Sequence, residues 1–282
     1  MGQADDPGRG RHRARGSLAR LRAVGRWPLA ALALLVVAVV VVVAVATRGD
    51  DHDSSAAPPS TAARDLAGWA SAELPPGATL SADPTLAAAL EQAGVEAGIL
   101  TPATTSADGP ALLVVDAADV GDRTVVARFP DATGGELTVV DPAAVPPDAA
   151  QLDRRRQLGA ALLANPLTRA PAAAAQRLRA GQVDPRLLTL LAGMAARFGT
   201  QLAALPLADG EPPEGSARAA VVSAVDGRPV AEGTQELADL RSYLAVQLAT
   251  FSPDEVQLVD GGLLVRFRYI TDPDGAVTRG GG

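Results

Sequence analysis

Residues 28–47 form one unbroken apolar run, with no charge and no glycine, and everything after them alternates short apolar segments with polar breaks. Twenty helical residues at about 1.5 Å each reach roughly 30 Å, the thickness of a bilayer's hydrocarbon core, so the run predicts a single transmembrane helix. Seven arginines (Arg9, Arg11, Arg13, Arg15, Arg20, Arg22 and Arg26) precede it, and Asp50, Asp51 and Asp53 follow. The positive-inside rule therefore expects a basic cytoplasmic tail over 1–27, a span over 28–47 and an extracytoplasmic remainder at the cell membrane. A cleaved secretory signal is the competing reading, because Ala44-Val45-Ala46 has the small-x-small form of a cleavage site. The apolar run is longer than the roughly 7–15 residues of a signal's hydrophobic region, which favours the anchor.

Beyond a polar linker over 48–60, periodicity predicts an α/β to α+β fold, a mixed α/β domain in two lobes. In the first, 61–143, Thr61 caps a helix carrying Leu66 and Trp69, which breaks at Pro75-Pro76-Gly77. A strand over 78–82 leads to Asp83-Pro84, an N-cap with proline at the first helical position, and the next helix ends at Gly94. The run 111–115 reads as a buried strand, completing a strand–helix–strand unit. Segments 124–129 and 136–140 then read as a hairpin.

The second lobe, 148–270, is expected to start with a capping box at Asp148 and Gln151, its helix stopping at Asn165-Pro166. A short helix runs from Pro171 to Gly181, and Asp184-Pro185 opens a helix with Leu187, Leu191, Met194 and Phe198 in one stripe. Strands are predicted over 201–205 and 219–225, and Leu237, Leu240, Leu244 and Leu248 mark another amphipathic helix. A hairpin over 255–259 and 263–269 turns at Asp260-Gly261-Gly262. The helices should cover one face of a mixed sheet, and 271–282 read as a disordered tail.

Composition changes the picture mainly by subtraction. All 25 basic residues are arginine, Cys is absent, and the two histidines, His12 and His52, lie in the tail and the linker. A Cys-linked lipid anchor and disulfides are thereby excluded, as are thiolate nucleophiles, Schiff-base lysines, a Walker A loop and, in the folded part, histidine acid/base catalysis. Past the tail, 18 arginines face 30 acidic residues, a net charge of −12 that would repel nucleic acid. The expected partners are the membrane itself and an envelope protein or wall polymer, with no cofactor and no nucleic acid.

The run Leu163-Ala164-Asn165-Pro166, with Arg177-Leu178 and Gly181-Gln182-Val183-Asp184-Pro185-Arg186-Leu187-Leu188, resembles a recurring segment of uncharacterised membrane-anchored proteins from actinobacteria. The likeness covers about residues 150–270 and implies a single-pass envelope protein; that family brings no established activity. The run from Trp69 through Leu74-Pro75-Pro76-Gly77 to Asp83, with Leu90 and Ala93-Gly94, is more loosely similar to a small α/β module that follows the membrane portion of some bacterial sugar transferases, and this likeness implies a fold only.

Carboxylates are the strong chemical groups left. Asp116, Asp119 and Asp122 follow a strand's carboxyl end, where α/β folds place ligands, and are weak candidates for a hard-cation site. Their spacing matches no EF-hand loop, and aspartates in turns commonly serve the turn. Arg154, Arg155 and Arg156 on one helix are weak candidates for an anionic partner; the plainer reading is a solvated face. No catalytic residue is assigned. An envelope binding or scaffolding module, not an enzyme, is the favoured reading. The alternatives are a carboxylate-based glycan hydrolase and an OmpA-like peptidoglycan-binding module. A glycan cleft is usually aromatic-lined, and two Trp, two Tyr and four Phe in the whole chain weigh against the hydrolase.

Overall fold

The computed structural model describes residues 58–102 and 111–280. The tail 1–27, the apolar run 28–47 with Ala44-Val45-Ala46, and most of the linker 48–60 lie outside the described residues. No helix among those described is long and apolar enough to cross a membrane.

The first lobe opens with helix α1, Thr61–Glu73, capped by Ser60, whose hydroxyl accepts from the Ala63 N–H at 3.1 Å. Thr61 is thus the first helical residue rather than the cap. The helix buries Ala62, Leu66, Trp69, Ala70 and Glu73 along one stripe. Strand β1 (Thr79–Ala82) leads into α2 (Pro84–Gln92), where the Asp83 carboxylate accepts from the N–H groups of Thr85 and Leu86 at 2.9 and 3.1 Å. Strands β2 (Leu100–Pro102), β3 (Ala111–Asp116), β4 (Thr124–Pro130) and β5 (Glu136–Asp141) complete a sheet of order β2-β1-β3-β5-β4. β1 runs parallel to both neighbours, as a strand–helix–strand crossover requires, and β4 and β5 form the expected antiparallel hairpin beside β3. Leu66, Trp69, Leu80, Leu90, Leu112, Phe129 and Val139 make its core.

In the second lobe, α3 (Ala149–Ala164) begins with the predicted reciprocal cap: Asp148 accepts from the Gln151 N–H and Gln151 from the Asp148 N–H, each at 2.7 Å. Helix α4 (Ala172–Ala180) ends on Gly181 in the left-handed conformation, and α5 (Pro185–Phe198) starts from Asp184. Strands β6 (Thr200–Ala204), β7 (Ala219–Val225), β9 (Glu255–Val259) and β10 (Gly262–Arg266) form a sheet of order β6-β7-β10-β9, with the two-residue β8 (Arg228–Pro229) hairpinned onto β7. Helix α6 (Gln235–Ala245) supplies Leu237, Leu240 and Leu244 to a core shared with Leu187, Leu191, Met194, Leu263 and Phe267.

Four expectations need correction. The second sheet is antiparallel throughout its main path rather than mixed. Leu248 lies beyond the end of α6 and is 64% exposed, because the helix stops at Ala245 before its stripe completes another turn. The last strand ends at Arg266: one further ladder bond runs from the Phe267 N–H to the Arg218 carbonyl, and then the Tyr269 N–H donates to the Glu73 carbonyl at 3.0 Å, so the chain leaves its sheet for the first lobe. Finally, within the stretch expected to be a disordered tail, Pro273–Gly280 form helix α7. Asp272-Pro273 repeats the Asp-Pro start of α2 and α5, with the Asp272 carboxylate accepting from the Gly275 N–H at 2.8 Å.

Each lobe thus has its own core, yet the described residues form one compact unit. The loop between β6 and β7 joins them. It crosses β4 so closely that a Cβ on Gly210 would lie 2.7 Å from the Phe129 ring and 2.9 Å from the Arg128 carbonyl, and the Arg128 N–H donates to the Gly210 carbonyl at 2.8 Å.

Candidate functional site

Where the two lobes meet, the polar residues that periodicity leaves unexplained come together. Arg218 enters at the head of β7 and is 8% exposed. Its Nη2 donates to Glu73 Oε2 at 2.7 Å, and its Nη1 pairs with Glu211 Oε1 on the inter-lobe loop. Glu73 also receives Arg266 from β10 at 3.4 Å. A carboxylate in the last turn of a helix opposes the helix dipole, so two arginines from the other lobe compensate what α1 by itself would not. The Tyr269 ring lies 5.4 Å from the Arg218 guanidinium carbon, and its hydroxyl donates to Asp141 at 2.8 Å. Arg218 Nε has no hydrogen-bond partner among the described residues.

Two further arginines complete the seam. Arg186 forks onto Asp184 at 3.0 and 2.7 Å and donates to the Arg268 carbonyl at 2.9 Å. Arg155 on α3 forks onto Asp274 of α7, Nε to Oδ1 at 3.2 Å and Nη2 to Oδ2, while its Nη1 donates to Ser216 at 3.3 Å. Both are buried.

These groups line a cleft enclosing about 210 Å³, walled by Arg155, Asp184, Glu211, Ser216, Arg218 and Tyr269 and by apolar atoms of Val125, Val145, Pro146, Pro212, Ile270 and Pro273. A second cavity of about 380 Å³ lies against the same 269–272 segment, with Pro75, Ala78 and Leu112 on its other wall. Few polar groups in a mostly apolar concavity is the usual make-up of a ligand pocket.

Burial raises the Glu211 carboxyl above its ordinary value of 4.5, with Arg218 and the Ala208 N–H pulling the other way. Burial would lower Arg218, but Glu211 and Glu73 beside it more than offset that and hold it above its ordinary value. A guanidinium stays charged at any ordinary pH, so acidification reaches Glu211 first. Both Glu211 oxygens are occupied, one by Arg218 and the other by the Ala208 N–H at 2.8 Å, which is the arrangement of a structural clasp rather than a free acid. Burial and the Asp141 charge hold the Tyr269 phenol protonated.

The residues singled out from the sequence distribute differently. Asp116, Asp119 and Asp122 are all exposed around a short 3₁₀ turn, and among the described residues no group of three acidic or histidine side chains is placed to hold a metal ion. The arginine run does not form one solvated face. Arg154 is exposed, Arg156 is exposed and pairs with Asp153 at 3.1 Å, and Arg155 points inward to Asp274, because a helix sends successive residues about 100° apart. Trp69 is a core residue, its ring centroid 6.2 Å from that of Phe129. Glu73, Glu211 and Arg218 had no sequence signal, and Asp272-Pro273 was the one cue available for Asp274.

No family model matches the chain, and neither does any curated protein or solved structure.

Proposed function

We propose that this chain is a single-pass membrane protein whose outer α/β module binds a partner of the cell envelope, a protein or a wall polymer, through the cleft between its lobes. The observation that carries the reading is that cleft, where an arginine-rich seam meets apolar walls beside a buried Arg218 Nε that has no partner among the described residues. The apolar run 28–47 supports the tether, and its flanking charges support an outward-facing module. Binding is favoured over catalysis because the chain beyond residue 52 has no histidine, lysine or cysteine and the cleft carboxylates are held by arginines. The resemblance of 150–270 to membrane-anchored actinobacterial proteins points the same way.

Two measurements test it. Protease added to wall-stripped intact cells should remove a C-terminal tag; a protected tag refutes the orientation, and an outer module found free in the medium refutes the anchor. A deletion strain complemented with Ser216→Trp, which fills the cleft from a partly exposed position, should lose its phenotype rescue at unchanged membrane abundance. Full rescue would remove the cleft from the function.

A further inference from the structure

The C-terminal segment that closes one side of the cleft is fastened in an unusual way. Helix α7 has eight residues and buries none of them. A free helix of that length does not hold in water, where about 12–15 residues are needed, so α7 exists only as docked. It rests on α5 and on the turn Ala249–Phe251. Its charged attachment to the second lobe is the fork from Arg155 onto Asp274, and just before it the Thr271 carbonyl accepts from the Val145 N–H at 3.2 Å. Arg155 is 5% exposed and keeps a contact to Ser216 on its remaining nitrogen.

A buried guanidinium is strongly disfavoured without a counter-charge. If α7 lifts away, Arg155 faces the cleft with its fork vacant, Ser216 stays beside it, and Arg218, whose buried Nε has no partner among the described residues, borders the same space. The fork geometry of arginine matches a carboxylate through two parallel hydrogen bonds. The geometry points to Arg155 and Ser216 as a carboxylate receptor that α7 fills in cis: Asp274 is an internal stand-in for the acidic side chain of a partner peptide, and partner binding displaces the C-terminal strap. The partner segment would carry an acid just after a proline, as Pro273-Asp274 does, so that its apolar part meets Pro146, Pro212 and Val125.

The inference rests on the cleft being a binding site, and its test is separate from complementation. The probe is a fluorescent synthetic peptide of residues 271–280, offered in detergent micelles to the full chain and to a chain truncated after Ile270. Anisotropy should report saturable binding to the truncated chain and at least tenfold weaker binding to the intact one. An otherwise identical peptide with asparagine in place of the second aspartate should bind the truncated chain about tenfold or more weakly, the loss expected for a charge-assisted fork. Because that change is in the probe, it needs no protein variant to fold; Arg155→Met in the truncated chain, checked by circular dichroism, should match it. Absence of binding up to millimolar peptide, equal binding of the two peptides, or displacement by inorganic phosphate at concentrations where acetate has no effect would each overturn the carboxylate receptor. Such results would leave the tethered binding module standing, since that depends on the Ser216→Trp outcome.

Discussion

Arg218→Met tests whether the inter-lobe seam holds the two cores together. Methionine keeps most of the side-chain volume, so the change isolates the charge. Removing the guanidinium strands Glu73 and Glu211, whose side chains are 2% and 3% exposed, and leaves Glu73 only Arg266 at 3.4 Å. Breaking one partner out of a buried pair costs about 3–5 kcal/mol, a large part of a total of about 5–15 kcal/mol. For a domain of this size each 1 kcal/mol shifts the melting temperature by about 2–4 °C, so a fall of about 6–20 °C is expected. The assay is urea and thermal denaturation of a fragment spanning 57–282, which contains the whole compact unit. The triple change Glu73→Gln, Glu211→Gln, Arg218→Met should recover much of the loss, because neutral side chains of similar shape carry no desolvated charge. A loss below about 1 kcal/mol in the single variant, or no recovery in the triple, would refute the reasoning and leave the seam as a passive consequence of packing.

Gly159→Ala should destabilise by about 1–3 kcal/mol in the same assay, because the added Cβ would stand 2.3 Å from the Leu178 carbonyl oxygen and force α3 and α4 apart. Leu187→Asp, at a fully buried position, should prevent folding as read by circular dichroism, whereas the exposed Asp116→Asn should stay within about 0.5 kcal/mol of the parent. Since the folded-state pKa of Glu211 is raised, its proton is bound more tightly in the folded chain. That stability is fully present below the ordinary value of 4.5 and is lost as pH rises through the folded value. Glu211→Gln should therefore flatten the fall in stability that sets in as pH rises above the ordinary value of 4.5, and an unchanged slope in urea melts there would count against the assignment.

Most helices and strands were legible because their causes are local. Asp-Pro starts at 83–84 and 184–185, the Asp148–Gln151 box, the Gly181 stop and the leucine stripes act over three or four residues, within reach of a pattern read along the chain. Boundaries slipped where a distant contact intervened. β10 ends near Arg266 because Tyr269 is drawn to Glu73, and 273–280 become helical because Arg155 holds Asp274. The polar and terminal composition of 271–282 carried no sign of that docking, although the Asp-Pro start was there.

The site was decided almost entirely by tertiary structure. Glu73 reaches Arg218 across 145 residues and Arg266 across 193, and Arg155 reaches Asp274 across 119. Pairs at such separations leave no periodic trace, because the pairing depends on how the two cores dock and not on any local repeat. What the sequence determined by itself was the inventory and the layout: an apolar run long enough to span a bilayer, two α/β lobes, and a folded part with arginine and carboxylate as its only strong charges. Burial then selected among identical residues. Successive positions on α3 point about 100° apart, so one arginine of the 154–156 run was turned into the seam while its neighbours stayed at the surface.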